Sequence, residues 1–328
     1  MSAPNQPANT FDTYDQVGIR EDLADIIYNI SPEETPFYTK CKKVTATNIK
    51  HEWQTDALRA SAENSNVDGG DTLAQSPNPT VRLANYTQIF KNAVVVSDTD
   101  QGLDKAGRAR EIGYQTLKIA AEQKLDIEAA LFDNREQNAG AGGIPGVPRV
   151  LAGVPAWMAT NVVAADGGTV ATGDGTDAYT TGTAAAFTQD DFDTAMENIW
   201  SSGGKPDTVY LSASNMNDAL GFEGNNNQRS TIKAMDETVI KAMDVYVTPW
   251  GSVEFVPSRE IISQPGSADP LNYVFIAQDD MWAVAVLRPT KNTGLSKTGD
   301  NTRRQVVTEL TLHACNEKSS GGVFGVTQ

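Results

Sequence analysis

Few residues in this 328-residue sequence carry the chemistry of a catalytic or metal-binding site. His51 and His313 are the only histidines, and Cys41 and Cys315 the only cysteines. His313 lies two residues before Cys315 in an alternating stretch, which puts both side chains on one face of a strand. A zinc site would need two further ligands from elsewhere, so the pair reads as a His and a Cys packed on a half-buried sheet face. Neither cysteine has a second at metal or redox spacing, and both are expected to be buried, reduced thiols. The glycines of Gly140-Ala141-Gly142-Gly143-Ile144-Pro145-Gly146 invite a phosphate-loop reading, but a nucleotide fingerprint follows a strand and opens a helix. Here the order is reversed, and Pro145 and Pro148 remove amides that such a loop would use. Asp68-Gly69-Gly70-Asp71 and Asp174-Gly175-Thr176-Asp177 offer oxygen ligands without the spacing of a calcium loop and its closing glutamate, and read as solvated turns. There is no Gly-x-Ser-x-Gly elbow. The expectation is a chain with no catalytic set, no cofactor and no metal.

Composition narrows the class further. With 42 acidic against 26 basic residues the formal charge is -16, which repels phosphate backbones and argues against a sequence-reading nucleic-acid binder. It does not argue against a container, since a wall that packs a polyanion at high density must not grip it everywhere. No apolar run approaches the roughly 20 residues needed to span a bilayer. The first ten residues carry no positive charge and no apolar stretch, so neither a secretory nor a lipidation signal is read there, and synthesis in the cytoplasm is expected.

The elements that would position any site follow from periodicity. Residues 20–30 show helical spacing after a Pro/Asn-rich tail, and Ser31–Tyr38, with two prolines in five residues, predicts a stiff extended or turning connector. Ile49–Gln54 and Val81–Phe90 alternate as strands, separated by the polar segment Ala60–Pro79. About twenty polar residues between two strands are too many for a compact connection, so a long hairpin projecting from its own core is predicted. Such an arm has few contacts within its own chain, which suggests that a neighbouring subunit holds it. A helix is predicted from about 100 to 135, about 50 Å long, with Ser97, Thr99 or Asp100 as its cap. Lys105, Arg108, Arg110, Glu111, Glu122, Lys124 and Glu128 would form its polar face. Beyond a Gly/Thr/Asp-rich excursion at 164–183, a helix is predicted over 187–200 with Thr188 as cap, then a short strand at 207–212 and mixed pieces over 214–243. Strands follow at 245–247, 253–256, 273–277, 282–287 and 305–312. One long helix beside β-rich material on both sides predicts an α+β fold.

This order resembles the Hong Kong 97-type fold of tailed-phage major capsid proteins. The likeness rests on Ser31-Pro32-Glu33-Glu34-Thr35-Pro36-Phe37, Asn85-Tyr86-Thr87-Gln88-Ile89-Phe90 with Val94-Val95-Val96-Ser97, Asp280-Met281-Trp282, Leu287-Arg288-Pro289, Leu295-Ser296-Lys297-Thr298-Gly299-Asp300 and Asn316-Glu317-Lys318. The resemblance implies an N-terminal arm (1–43), an extended loop (44–97) and a peripheral domain with its spine helix (98–152 with 272–328). It also implies an axial domain (187–271), with 153–186 as a β-rich insertion. It further implies a non-enzymatic subunit that forms hexamers and pentamers of an icosahedral virion shell around double-stranded DNA, without sequence-specific binding and without a membrane. Assembly would take place in the host cytoplasm. The further partners expected are a portal and either a separate scaffolding protein or a scaffolding region already cleaved from the chain. Weak, acidic interfaces would call for a cement protein as well, and a tail or receptor-binding protein is the alternative.

The interface candidates are Arg59, Asp68, Gly69, Gly70, Asp71 and Arg82 on the projecting hairpin, and Glu111 and Glu122 on a neighbour's spine helix as acidic partners. Some capsids of the resembled kind are joined by isopeptide bonds from a lysine on the extended loop. No lysine occurs between Lys50 and Lys91, so that cross-link is not expected here.

Overall fold

The structure, a computed structural model, describes residues 34–59, 61–71, 78–103, 110–222, 245–262 and 271–327. The amphipathic stretch predicted at 20–30 lies outside them. The chain opens with helix α1 (Pro36–Lys40), where Pro36 sits in the first turn and its missing amide costs nothing. Strand β1 (Lys42–Thr45) follows. The connector predicted over 31–38 is therefore helical at its described C-terminal end, and its Phe37 is fully buried.

Strands β2 (Lys50–Thr55) and β3 (Val81–Tyr86) pair antiparallel as a two-stranded ribbon, Lys50 opposite Tyr86 and Thr55 opposite Val81. The run predicted as one strand from 81 to 90 is broken at Thr87. Beyond it β4 (Gln88–Ser97) leaves the ribbon and pairs instead with the late strand Asn301–Ala314.

The single long helix is also divided. Ser97 caps α2 (Asp98–Gln101), its hydroxyl accepting the Asp100 amide at 3.1 Å, and Gly102 ends that helix after one turn. Helix α3 (Glu111–Phe132) starts afresh from an extended Arg110, and its 22 residues span about 33 Å rather than 50. The capping signal read at 97–100 was real but served a one-turn helix. Lys105 and Arg108 lie outside the described residues.

Next come α4 (Val154–Trp157) and β5 (Val162–Ala164), which the periodicity did not single out, then α5 (Gln189–Ser201), β6 (Thr208–Leu211) and α6 (Ala213–Ala219). Helix α5 and strand β6 match the helix predicted over 187–200 and the strand at 207–212, and residues 223–243 of the mixed stretch lie outside the described residues. Thr188 caps α5, its hydroxyl accepting the Asp191 amide at 3.3 Å. Then come β7 (Val245–Thr248), β8 (Gly251–Pro257), β9 (Tyr273–Ala277), β10 (Trp282–Leu295), β11 (Asn301–Ala314) and β12 (Gly321–Phe324).

Among the described residues there are two sheets besides the ribbon. One has the order β1-β10-β11-β4, and α3 packs against its β4 and β11. The other has the order β5-β12-β9-β6-β8-β7. On one face of this six-stranded sheet Val209, Leu211, Val274 and Ile276 meet Phe192, Ala195, Met196 and Ile199 of α5. On its other face Tyr210, Tyr273 and Phe275 join Phe37, Leu131, Phe132 and Trp282 in the larger core. Alternation along each strand supplies both faces.

Sheet membership cuts across the division expected at residue 272. Strands β9 and β12 lie in the six-stranded sheet, and only the hairpin between them, β10 and β11, lies with α3. The stretch 153–186, expected as a β-rich insertion, contributes to the core. Trp157 and Met158 are fully buried, and β5 runs parallel to β12.

Candidate assembly site

The ribbon β2–β3 carries the projecting segment. Every described residue of 56–59, 61–71 and 78–80 is exposed, including the apolar side chains of Leu58 (99%) and Val67 (81%). The tip turns at Asp68-Gly69, where the Gly70 amide reaches the Val67 carbonyl at 3.1 Å and Gly69 takes the left-handed φ of 72° that such a turn requires. Arg59 and Asp71 lie on this exposed segment.

The other candidates are placed differently. Arg82 pairs with Glu52 across the ribbon, and with Lys50 it holds the Glu52 carboxyl below its usual range. Glu111 is buried at the start of α3 and accepts the Gln115 amide at 2.7 Å. Glu122 is exposed, 3.7 Å from Lys118 one turn back. Within one subunit Arg82 is thus engaged with Glu52 and Glu111 with Gln115.

What fixes the hairpin to its own body is a set of buried polar groups that periodicity did not single out. Asn85 is fully buried, donates to the Leu312 carbonyl at 2.9 Å and accepts the Ala152 amide at 3.0 Å. Two residues on, the buried Thr87 hydroxyl donates to Glu309 at 2.9 Å. Glu309 also takes Arg149 at 2.6 Å and Arg288 at 2.7 Å. The Gln88 side-chain carbonyl accepts the Leu151 amide at 3.2 Å. The stretch Asn85-Tyr86-Thr87-Gln88 is therefore where the projecting ribbon is bolted to β11 and to the chain around residue 150. The available signal was three polar side chains inside an otherwise apolar strand pattern, since a buried polar group must be partnered.

Beside these bonds the two histidines meet. His51 Nε2 lies 3.0 Å from His313 Nδ1. The His313 ring stacks on Trp53 at 4.4 Å, and Trp53 packs on Trp157. His313 is thus half-buried on the sheet, as read from the sequence, but its partner is His51 and not Cys315. Burial and the His51 charge push its pKa down to about 4, and burial lowers that of His51 as well.

The arm is fixed separately. The Glu128 carboxylate of α3 accepts the amides of Phe37 (2.9 Å) and Tyr38 (2.7 Å) at the open end of α1. Burial pushes its pKa up to about 7, against the pull of those amides. Glu128 was read as part of a polar face, and the structure buries it completely. Phe37 plugs the core among Phe132 (5.0 Å), Tyr210 (5.3 Å), Phe275 (5.7 Å) and Trp282 (6.3 Å).

The remaining chemical candidates do not converge. Residues 138–150 form a small hairpin, with bridges Asn138–Val150 and Ala141–Val147 and an exposed Ile144. In the turn at 172–177 the carboxylates of Asp174 and Asp177 accept from the Thr172 and Thr176 hydroxyls. Burial raises both thiols; Cys41 is buried, whereas Cys315 is only half-buried. Among the described residues no three His, Cys, Asp or Glu side chains gather as metal ligands.

The family model of the SU10 major capsid protein matches residues 6–327. The chain belongs to the SU10 major capsid protein family. It is accordingly a structural protein of a bacteriophage virion. The major capsid protein of Escherichia phage Phieco32 is 36% identical over 126 residues, a match spanning 38% of this chain and 36% of that relative's length. Among solved structures, the capsid asymmetric unit of cyanophage A-1(L) superposes with a TM-score of 0.68 at 12% identity, covering 97% of this chain and 99% of that one. The structure of Microbacterium phage Oxtober96 gives 0.59 at 9% identity over 94% and 96%. The holo-SrpI encapsulin complex of Synechococcus elongatus PCC 7942 gives 0.56 at 11% over 95% and 94%. At these identities the likeness is one of fold, and the fold of this SU10-family capsid protein is the Hong Kong 97 type.

Proposed function

We propose that this chain is the shell-forming subunit of a tailed-phage head. It assembles as hexamers and pentamers into an icosahedral shell around double-stranded DNA and performs no catalysis. The observation that carries this is the exposure of the whole described projecting segment, Leu58 and Val67 included. A hairpin with no core of its own does not recover its ordering entropy alone, and an adjacent subunit that covers it does. We assign Arg59 and the tip residues Asp68, Gly69, Gly70 and Asp71 to that contact. Glu122 is the acidic partner that one subunit leaves exposed on α3. Helix α3 with the four-stranded sheet would form the peripheral region, and the six-stranded sheet with α5 and α6 the axial region. The charge of -16 suits a wall that contains DNA without gripping it. A separate scaffolding protein, a portal and a cement protein are the partners this reading calls for, with assembly in the host cytoplasm.

Deleting residues 62–76 tests the reading. The expected product is a subunit with unchanged circular dichroism that forms few closed shells by negative-stain microscopy. Normal, equally stable shells from the deletion would overturn it. The tail-protein alternative is set aside by a family match that covers nearly the whole chain.

A further inference from the structure

The two histidines of the chain stand 262 residues apart in sequence and 3.0 Å apart in space, one on the projecting ribbon and one on the body. A hydrogen bond between two imidazole nitrogens needs one lone pair. It survives with both rings neutral or with one protonated, and it is lost when both carry a second proton. We propose that the His51–His313 pair is a proton-sensitive clasp at the base of the extended hairpin, closed at neutral pH and loosened progressively on acidification, so that the ribbon leaves β11 more often.

The surroundings decide the direction. Lys50 and Glu52 flank His51 on the opposite face of β2 and pair with each other at 3.2 Å. On the face of β11 that carries His313, the nearest carboxylate along the strand is Glu309, already held by Arg149 and Arg288. Cys315, two residues on, is a half-buried thiol that burial keeps protonated. From the other packed elements come Trp53, Trp157, Leu83 and Asn85, which carry no charge. The Trp53 face would favour a cation on His313. Burial and the His51 charge outweigh it, since together they bring His313 down to about 4 from 6.5. A base whose pKa is depressed by folding contributes stability at neutral pH that is lost on acidification, here across the window from 6.5 to about 4. Asn85 and Thr87 also tie the ribbon down, so acid loosens one of several attachments and need not unfold the subunit.

The clasp is a property of one subunit and does not depend on the shell reading. Its test is hydrogen–deuterium exchange of the full chain between pH 7 and pH 5, corrected for intrinsic exchange, comparing β2 and β3 with α5 as an internal reference. Ribbon exchange should rise about tenfold while α5 stays level, the full linkage being reduced by solvent screening. In His51→Gln, which keeps a hydrogen-bonding group without the charge, the rise should be smaller but not absent, because burial of His313 remains. A flat ribbon response, a parallel rise in α5, or an undiminished response in His51→Gln each overturns the proposal. The imidazole resonances of the wild-type chain give an independent reading: both histidines should titrate below 6.5, and titration of both near 6.5 overturns the clasp even if the variant does not fold.

Discussion

The backbone amide of Phe37 donates to the Glu128 carboxylate at 2.9 Å across 91 residues of sequence. The same carboxylate takes Tyr38 at 2.7 Å, so one buried side chain of α3 does the work of a helix cap for α1 and fixes where the arm meets the spine. Arm docking and the position of the Phe37 plug are thereby one event.

That contact predicts a pH dependence opposite in sign to the histidine clasp. Glu128 has a folded pKa of about 7 against an ordinary 4.5, so the folded chain takes up a proton between those values. The contact should gain stability as pH falls through 7 and be weakest above it. In Glu128→Gln the amide group faces one of the two N–H donors, costing about 1–3 kcal/mol, and the Glu128 contribution to the pH profile vanishes. Thermal melting of both proteins from pH 5 to pH 8 checks this, because the histidines titrate in both and cancel in the difference. A difference curve without slope would refute it.

Phe37→Ala removes a fully buried ring that touches four aromatic neighbours from α3 and three strands. The expected cost is about 3–5 kcal/mol in urea unfolding. A loss under about 1 kcal/mol would mean that the arm does not dock as described.

Glu309→Ala leaves Arg149 and Arg288 facing each other and orphans the buried Thr87 hydroxyl. Since Arg288 is half exposed, the cost should be about 2–4 kcal/mol, below that of a fully buried ion pair. Thr87→Val should be costly in the wild-type background and nearly silent in Glu309→Ala. Additive losses in the double mutant would show that the two groups are not coupled.

Mature particles boiled in detergent without reductant should run as a single band at the monomer mass. The projecting segment carries no lysine, Lys50 at its base is paired with Glu52, and burial keeps both thiols protonated. A ladder of covalent multimers would contradict this.

The sequence by itself determined what depends on neighbours a few residues apart. The Thr188 cap and the apolar stripe Phe192, Ala195, Met196 and Ile199 were legible because a helix face repeats every three or four residues. The late strands, the α+β class and the projecting hairpin were legible from alternation and from an overlong polar connection, and the family likeness from short segments in order. Which strand joins which sheet was decided only by tertiary structure, since β9, β10 and β11 read alike along the chain and separate only by their partners, and β12 was not singled out at all. The division of the long helix at Gly102 and the break at Thr87 likewise needed the surrounding packing. The buried polar groups lay furthest from view. Glu128, Glu309, Asn85 and the His51–His313 pair look like ordinary polar positions until the fold removes water from around them, and then each must find a partner tens to hundreds of residues away.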